Sequence, residues 1–591
     1  MAHVSTTREW MCVPTELGAV ARAEGAGAVL YPAPVADSVR IVFLGGLGEI
    51  GRNCFCIEVD GRILIVDCGI MFPEVDMPGV DLVLPDFTYL RERADDIEGA
   101  VLTHAHEDHA GAFAFLLRDA TFPIYGSALS LGMAKGRIEE AGLLDRTEFI
   151  PVADGERRHI GPFDVEFVPV THSVPHAFAA AYHTPQGTIL HTGDFKIDLT
   201  PVDGRRMDLA RLGEIATRPG GVRLLLSDST NAERPGFTPS ESTVGTALRT
   251  LFRDNEGKRI IVASFASHLH RVQQVAQAAI ANGRKVAFVG RSMGKNVTLA
   301  REMGMIDLRA DCVIDIGEAA KYPAGEVCII CTGSQGEPMS ALALMASREH
   351  KYVKVGEGDV VVIYAHAIPG NESNVSRVID AFYRSGAEVI HDGNAAVHVS
   401  GHASQEELKF ILNLVKPEWF VPVHGEYRHM VHHADLAEDS GVAPEKVFVC
   451  EDGDAITITD SGIEVERQAV PSGYTYVDGI VGDIGQGVLR DRRQLAEEGV
   501  VVVFVTVDKR SGEIVSGPEI VTKGWVYAPE AEALLEDAKE AVRQAVVDAV
   551  GGGGGGTDFE TVRRNARRTL GKFIHSRTKR RPAVIPVVLE V

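Results

Sequence analysis

The sequence has no run of about 18 uninterrupted apolar residues, the length a membrane-spanning helix needs, and no basic-then-apolar leader with a clear cleavage site. Neither membrane insertion nor export is expected, and a cytoplasmic protein is. Cysteine is scarce: eight in 591 residues, at 12, 54, 56, 68, 312, 328, 331 and 450, most of them inside apolar runs such as VCIICTG. That scatter excludes a secreted disulfide framework. The lone CxxC of Cys328 and Cys331 has no second pair to complete a zinc ribbon, so core packing is its expected role. Basic charge is short as well, with 59 Lys and Arg against 82 Asp and Glu and a net charge of -23. Polyanion binding normally draws on cations, so the total argues against nonspecific nucleic-acid binding. The local exception is RRNARRTLGKFIHSRTKRRP at 563–582, which contains no acidic residue.

What is present is ordinary globular composition, 45% hydrophobic and 24% charged, enough to bury real cores. At about 150 residues per domain the length predicts roughly three or four units. Residues 1–37 lack periodicity and read as a flexible N-terminal extension. Short β-rich runs with polar ends then fill 38–222. A second αβ series, VRLLLSDST, RIIVASFAS, KVAFVGRS, VCIICTGSQGEP and DVVVIYAH, occupies 223–390 and suits a parallel sheet covered on both faces. Strand-to-histidine junctions return in AAVHVSGHAS and PEWFVPVHGEY, so 391–455 is expected to complete the first unit around an inserted block. A hairpin-rich connector at 456–474 leads to a last αβ unit at 475–591, with the glycine run 551–556 as a loop inside it.

The densest chemistry is THAHEDHAG at 103–111, three histidines and two carboxylates in nine positions. His104 and His106 lie two apart where the strand GAVLT ends, so both can project to one side as the chain leaves the sheet. Asp108 and His109 follow where a helix starts. A single tetrahedral zinc would use three of the four and leave one idle, whereas two metals would use all four with outside help. Outside ligands stand at other strand ends: His172 in VTHSVPH, Asp194 in HTGDF and His424 in PVHGEY. A lone histidine is more often a core or surface residue than a ligand; the order of these three behind HxHxDH singles them out. Asp67 in IVDCG adds a carboxylate suited to orienting a ligand or a water.

HxHxDH followed by His172 and Asp194 resembles the metallo-β-lactamase superfamily, which implies an α/β fold, an αββα sandwich with a two-metal site at one edge of its sheets. Asp228 in LLLSDSTN, His402 in HVSGHAS and His424 in VPVHGE resemble, in order, the three extra motifs of the β-CASP branch, whose members cleave nucleic acid. A closer resemblance, to the bacterial ribonuclease J family, runs from about residue 40 to the C-terminus through GGLGEIGRN, HAHEDHAGA, SDSTNAERPGF, IVASFASHLHR, CTGSQGEPMSAL, IPGNE, HVSGHAS, and YVDG with VGDIG after it. The implied architecture is a metallo-β-lactamase domain in two parts, 38–222 and 391–455, an inserted β-CASP αβ domain at 223–390 and a C-terminal αβ domain at 475–591.

The resemblance implies that His104, His106 and His172 hold one zinc, that Asp108, His109 and His424 hold a second, and that Asp194 bridges both. Asp67, Asp108, Asp194, Asp228 and His402 form the expected catalytic set, with His402 donating to the phosphate and Asp228 orienting it. From the residues alone, Asp228 reads as a turn residue capping a strand end. Substrate contacts, including a terminal 5′-phosphate, are implied at His398, Val399, Ser400, Gly401 and His402. Gly333 and Ser334 in TGSQGEP either assist that contact or simply form a Gly-rich strand-to-helix turn. Further expectations are support of turnover by Mg2+ or Mn2+, a structural Ca2+ near Asp478 and the DMPGVD loop, and a homodimer or homotetramer. Partners in an RNA-degradation complex and a preference for 5′-monophosphorylated RNA belong with them. The basic stretch is expected to bind RNA, to support an assembly interface, or to be a solvated helix face. His176 in THSVPHAF and His366 in IYAHAIPG stand beside positions of expected function without a part in the two-metal scheme.

The leading expectation is a zinc-dependent ribonuclease with 5′-to-3′ exonuclease and endonuclease activity, serving RNA maturation and decay. A small-ester or lactone hydrolase would share the metal core but would not require the inserted block with Asp228, His402 and His424. A catalytically silent RNA-binding scaffold would have no chemical need of all seven ligands.

Overall fold

The computed structural model describes residues 37–591 except Val75, Pro338, 365–370, Gly393, 395–398, Ile480, Val481, Asp483, 527–530 and 552–558. The N-terminal extension, His366, His398 and most of the glycine run lie outside the described residues.

Two β-sheets carry the first architectural layer pair. Eight strands form one, in the order Gly462–Glu466, Ala455–Thr459, Val39–Gly45, Cys54–Val59, Arg62–Val66, Ile97–Val101, Ile124–Gly126, Phe149–Pro151. Six form the other, in the order Trp419–Val423, Val222–Asp228, Gly187–His191, Phe178–Thr184, Phe163–Pro169, Arg157–Ile160. Successive strand residues point to opposite faces. One set therefore meets between the sheets: Ile41, Phe43, Ile57 and Leu64 from the first join Val165, Phe167, Tyr182, Ile189 and Leu224 from the second. The other set of the six-stranded sheet, including Val168, Leu190, Leu225 and Phe420, packs on the helices Leu209–Thr217 and Gln405–Val415. Helix Ala128–Glu140 packs on the eight-stranded sheet at Ile124–Gly126 and Phe149–Pro151. This is the αββα sandwich expected from the sequence. Each fully buried Val, Leu, Ile or Phe contributes about 1.5–3 kcal/mol, so the inter-sheet core is a stiff base for anything built on its edge.

The chain leaves the six-stranded sheet after Asp228 and rejoins it at Trp419, in parallel register from Leu224 beside Trp419 to Asp228 beside Val423. Between these points an all-parallel five-stranded sheet forms, in the order Lys285–Val289, Val327–Cys331, Arg259–Ala263, Asp359–Ile363, Glu388–Ile390, with a hydrophobic core on each face. The run VCIIC is buried at every position, as a strand covered on both sides must be. Cys328 and Cys331 lie in it as core residues, and the seven described cysteines are all buried and free.

Two segments join sheets other than those the sequence pattern suggests. VRLLLSDST reads as the first strand of the inserted series, yet Val222–Asp228 sits in the six-stranded sheet between Gly187–His191 and Trp419–Val423. A buried parallel strand is apolar in any sheet, so its composition does not reveal which neighbours it takes. The connector 456–474 also supplies sheet: Ala455–Thr459 pairs antiparallel with Val39–Gly45, and its Ile456 and Ile458 enter the inter-sheet core.

In the last unit, strands Ile514–Lys523, Val500–Val507 and Ala583–Glu590 form a three-stranded sheet. Helices Glu532–Gly551 and Phe559–Thr578 cover one face, where Val501, Val503, Val505 and Val507 pack with Val542, Val546, Leu570 and Ile574. The opposite face leaves Phe504, Val521, Ile585 and Leu589 exposed. No helix among the described residues is long and apolar enough to cross a membrane.

Candidate metal centre

The expected ligands converge because each follows a strand that ends at the same edge of the sandwich. Asp67 follows Arg62–Val66, His104 and His106 follow Ile97–Val101, His172 follows Phe163–Pro169, Asp194 follows Gly187–His191, and His424 follows Trp419–Val423. Asp67 and His424 adopt left-handed backbone with φ of 56° and 55°, uncommon for residues with a side chain and typical of functional turns. At Gly69 a Cβ would stand 1.6 Å from the Asp108 carbonyl oxygen. Only glycine lets the segment after Asp67 lie this close to the HxHxDH turn.

Asp194 stands in the middle. Its Oδ2 lies 3.5 Å from His104 Nε2, 3.8 Å from His172 Nε2, 3.3 Å from His109 Nε2 and 3.5 Å from His424 Nε2. On one side, His106 Nδ1 lies 3.1 Å from His104 Nε2 and 3.2 Å from His172 Nε2. On the other, Asp108 Oδ2 lies 3.3 Å from His424 Nε2 and 3.7 Å from His109 Nε2. His104, His106, His172 and Asp194 thus form one group of ligand atoms within 4.8 Å of one another, and Asp108, His109 and His424 form another.

The second nitrogen of four of these rings is engaged elsewhere. His104 Nδ1 meets Thr103 Oγ1 at 3.1 Å, His172 Nδ1 donates to the Gly401 carbonyl at 2.9 Å, His109 Nδ1 meets Asp67 Oδ2 at 2.8 Å, and His424 Nδ1 meets Thr230 Oγ1 at 2.6 Å. Such partners fix the ring orientation and turn Nε2 toward the cluster. At Gly401 a Cβ would come within 2.7 Å of the His172 ring, so the residue whose carbonyl holds His172 must be glycine or the ring must move.

Electrostatics divide the rings. Burial pushes His104 and His172 well below the ordinary histidine range, and His106 down to about 4, which keeps them in the neutral, metal-binding form. Burial opposes protonation of His109 too, but Asp194, Asp108 and Asp67 outweigh it and push this ring up to about 10. His424 rises against burial for the same reason, through Asp194, Asp108 and Asp228. Protons on these rings occupy space where the carboxylates call for positive charge, and a cation would replace them. The donor set, the lone pairs aimed inward and the charge balance all fit divalent metal.

Beside the cluster, His402 Nδ1 lies 2.8 Å from Asp228 Oδ2, and the His402 ring stacks on His424 with centroids 5.4 Å apart. Burial works against its proton, but the Asp228 carboxylate raises the pKa above the usual histidine value. Asp228 Oδ1 accepts from Thr230 N and Oγ1, so the carboxylate is fixed from both sides. Behind both stands Glu407, fully buried. Its Oε1 accepts the Ile197 N–H at 2.8 Å, and its Oε2 accepts those of Thr238 and Ser404 at 2.7 and 2.8 Å. One carboxylate therefore ties together the segments just after Asp194, Asp228 and His402.

Four family models match the chain: the metallo-beta-lactamase superfamily over 47–232, the beta-CASP domain of ribonuclease J over 257–382, the Zn-dependent metallo-hydrolase RNA specificity domain over 390–450 and the ribonuclease J C-terminal domain over 487–591. Ribonuclease J2 of Bacillus subtilis is 41% identical over 556 residues, 94% of this chain and 99% of that protein. The chain belongs to the ribonuclease J family. Ribonuclease J of Mycolicibacterium smegmatis is 41% identical, and that of Mycobacterium tuberculosis 42%, each over 95% of this chain and 99% of the relative. A crystal structure of a protein of unknown function from Enterococcus faecalis, 17% identical, superimposes over 71% of this chain and all of that one with a TM-score of 0.51, a likeness of fold. As a ribonuclease J family member with this His/Asp cluster, the chain is a metal-dependent nuclease of the hydrolase class.

Within this family frame the remaining expected residues fall into distinct positions. Asp67 accepts from Thr103 N and Oγ1, both at 2.8 Å, while its Oδ2 holds His109 Nδ1. Ser400 Oγ accepts from Asn231 Nδ2 at 2.8 Å, beside His402. Val399 is buried in a core of the inserted domain, so any contact it makes with a strand of RNA runs through its backbone. Gly333 and buried Ser334 follow Val327–Cys331 in the five-stranded sheet, and the atoms nearest a Cβ at Gly333 belong to Ser340 and Leu342. Asp478, the carboxylate expected to hold calcium, is ion-paired through Oδ2 with Arg492. His176, with φ of 61°, lines a small polar pocket with Lys196, Asp203, Arg205 and His270. Sequence reasoning missed Thr103, Thr230, Asn231 and Glu407. Only Glu407 carried a signal, the capping pattern SQEE that opens helix Gln405–Val415.

Proposed function

We propose that this chain hydrolyses RNA phosphodiesters with two zinc ions, both stepwise from a 5′-monophosphorylated end and internally. The convergence of six side chains, His104, His106, His172, Asp108, His109 and His424, around Asp194, with the His402–Asp228 pair beside them, carries this reading. Two divalent ions bound there supply the charge that brings water's pKa toward neutrality and neutralises phosphate oxygens. His104, His106 and His172 on one side and Asp108, His109 and His424 on the other would hold the ions, with Asp194 between the two groups.

Hydrolysis adds water to phosphorus, breaks the P–O bond to the preceding ribose and places extra negative charge on the non-bridging oxygens. His402, protonated and locked at Nδ1 by Asp228, has its Nε2 N–H left to donate to that charge. Ser400 and the backbone of 399–401 offer further polar groups for the phosphate of the RNA end. Asp67, Thr230 and Glu407 keep ligands and donor in position.

The test is a matched pair of RNAs of one sequence, 5′-monophosphorylated and 5′-triphosphorylated, incubated with and without chelator. Mononucleotides released from the monophosphorylated strand and abolished by chelation are expected; no cleavage of either strand under metal-replete conditions would sink the reading. A homodimer or homotetramer is part of the proposal, supported by the exposed apolar sheet face of Phe504, Val521, Ile585 and Leu589. A monomeric mass by light scattering at working concentration would refute it.

A further inference from the structure

Between Thr561 and Leu589 the chain carries nine Lys or Arg and no Asp or Glu, inside a protein of net charge -23. Helix Phe559–Thr578 explains where these cations go. Val562, Ala566, Leu570 and Ile574 are buried at four-residue spacing and pack in the C-terminal core. Arg564, Arg568 and Lys572 each come two positions later, about 200° around a helix of 3.6 residues per turn, and therefore face away from the core. All three are exposed, as are Arg567 and Lys579. Some cations of the stretch have acidic partners: Arg563 pairs with Glu560, Arg577 with Asp537 and Arg580 with Glu498. Arg564, Arg567, Arg568, Lys572 and Lys579 have no carboxylate within ion-pair distance among the described residues.

We propose that this outward face is a second RNA-contacting surface, which holds the sugar-phosphate backbone of a single strand independently of its sequence. The proposal rests on the ribonuclease reading and adds a site to it. Charge is the first argument, because an unpaired basic row on an acidic protein favours a polyanion, and the substrate is one. Spacing is the second. Arg564, Arg568 and Lys572 rise by about 6 Å per step along the helix axis, comparable to the separation of successive phosphates in an extended strand. Exposed guanidinium and ammonium groups on a helix read phosphate without reading bases, so the surface adds affinity for length and leaves sequence preference unchanged.

The deciding variant is Arg564→Gln/Arg568→Gln/Lys572→Gln, at solvent-facing positions where Gln keeps the helix propensity. Binding is measured by fluorescence anisotropy with a 30-nucleotide RNA, in full-length protein that also carries His106→Ala so that the strand is held and not cut. The triple variant is expected to weaken binding about tenfold or more and to make the dependence of log K on log salt shallower by about 2, at about 0.7 per lost single-strand contact. Cleavage of a five-nucleotide RNA by the triple variant with His106 intact should be unchanged. Arg564→Lys/Arg568→Lys should keep both affinity and slope, since the point charge survives. A triple variant with the parent's affinity and salt slope overturns the proposal. So does one that changes the oligomeric mass while RNA binding holds, which would give the face to another copy of the chain. Failure of the parent protein to cut any RNA with metal present would bring down the ribonuclease reading separately, because the anisotropy measurement does not depend on turnover.

Discussion

The metal centre and the outward face of helix Phe559–Thr578 both concentrate charge, and they treat it in opposite ways. At the centre the charged groups are largely buried and tied: Asp67, Asp228 and Glu407 each accept at least two hydrogen bonds, and four ligand rings have their second nitrogen engaged. On the outward face of the helix Arg564, Arg568 and Lys572 stand exposed, with no carboxylate within ion-pair distance among the described residues. Bond cleavage needs donors fixed to within a fraction of an ångström, which requires low mobility and low dielectric. Holding a backbone needs only charge in roughly the right row, so mobile exposed side chains suffice. Substitutions at the centre should consequently act on turnover, and substitutions on the helix on affinity and its salt dependence.

His106→Ala should break the comparison most sharply. It removes one of the three nitrogens that face each other at 3.1 and 3.2 Å, and turnover should fall on the order of a thousandfold or more, equivalent to about 4 kcal/mol of transition-state stabilisation. Thermal melting in the presence of chelator should stay close to the parent's. Retained cleavage would mean that the ligand assignment is wrong. His402→Ala comes next, at about 10²–10³ in kcat, with stoichiometric metal content preserved by elemental analysis; loss of metal along with activity would make it a ligand.

Asp67→Asn tests whether the residues behind the ligands belong to the same class. Its carboxylate touches His109 and Thr103 and no expected substrate position, so a loss of about 10–100-fold in metal affinity is expected, recovered in part at high metal concentration. A loss as deep as that of His106→Ala, unresponsive to added metal, would move Asp67 into the reacting set. The stripe variant on the helix should be milder still, and visible only on long RNA.

How much of this was legible in the sequence depends on what carries each contact. The convergence of the proposed ligands was legible because metals need particular side chains, and HxHxDH with His172, Asp194 and His424 at strand ends has few other uses. Their supports were less so: His172 is held by the carbonyl of Gly401, and a carbonyl has no sequence signature. His109 leans on Asp67, 42 positions away, a carboxylate the sequence already offered for orienting a ligand, whereas His424 leans on Thr230, 194 positions away, an ordinary residue until the sheets bring it near. The αββα sandwich was expected from the metallo-β-lactamase resemblance that HxHxDH, His172 and Asp194 carry. The placement of Val222–Asp228 did not, since its apolar run suits the inserted sheet equally well, and the pairing of Ala455–Thr459 with Val39–Gly45 joins segments more than 400 positions apart.

The smallest expected effect concerns a buried charge that is only partly matched, intermediate between the two regions. Arg52, 1% exposed, donates to Glu49 Oε1 at 2.7 Å and to Asp452 Oδ2 at 2.8 Å, and lies 4.2 Å from the centre of the Tyr474 ring. One guanidinium is thus shared by two carboxylates, next to Asn53, whose side chain reaches the Asp108 carbonyl. Burial, reinforced by Glu49 and only partly offset by Arg52, pushes the Asp452 carboxyl up to about 7. In the unfolded chain this group titrates near 4. Between those values the folded state keeps a proton that the unfolded state has lost, so unfolding free energy should fall as pH rises through that window and level off above it. Asp452→Asn removes the titration while keeping an acceptor for Arg52 and the Leu47 N–H. The variant's stability, measured by urea unfolding at pH 5, 6, 7 and 8, should therefore decline less steeply with pH than the parent's. An identical slope in the two proteins would show that solvent or Arg52 already compensates this carboxylate in the folded chain.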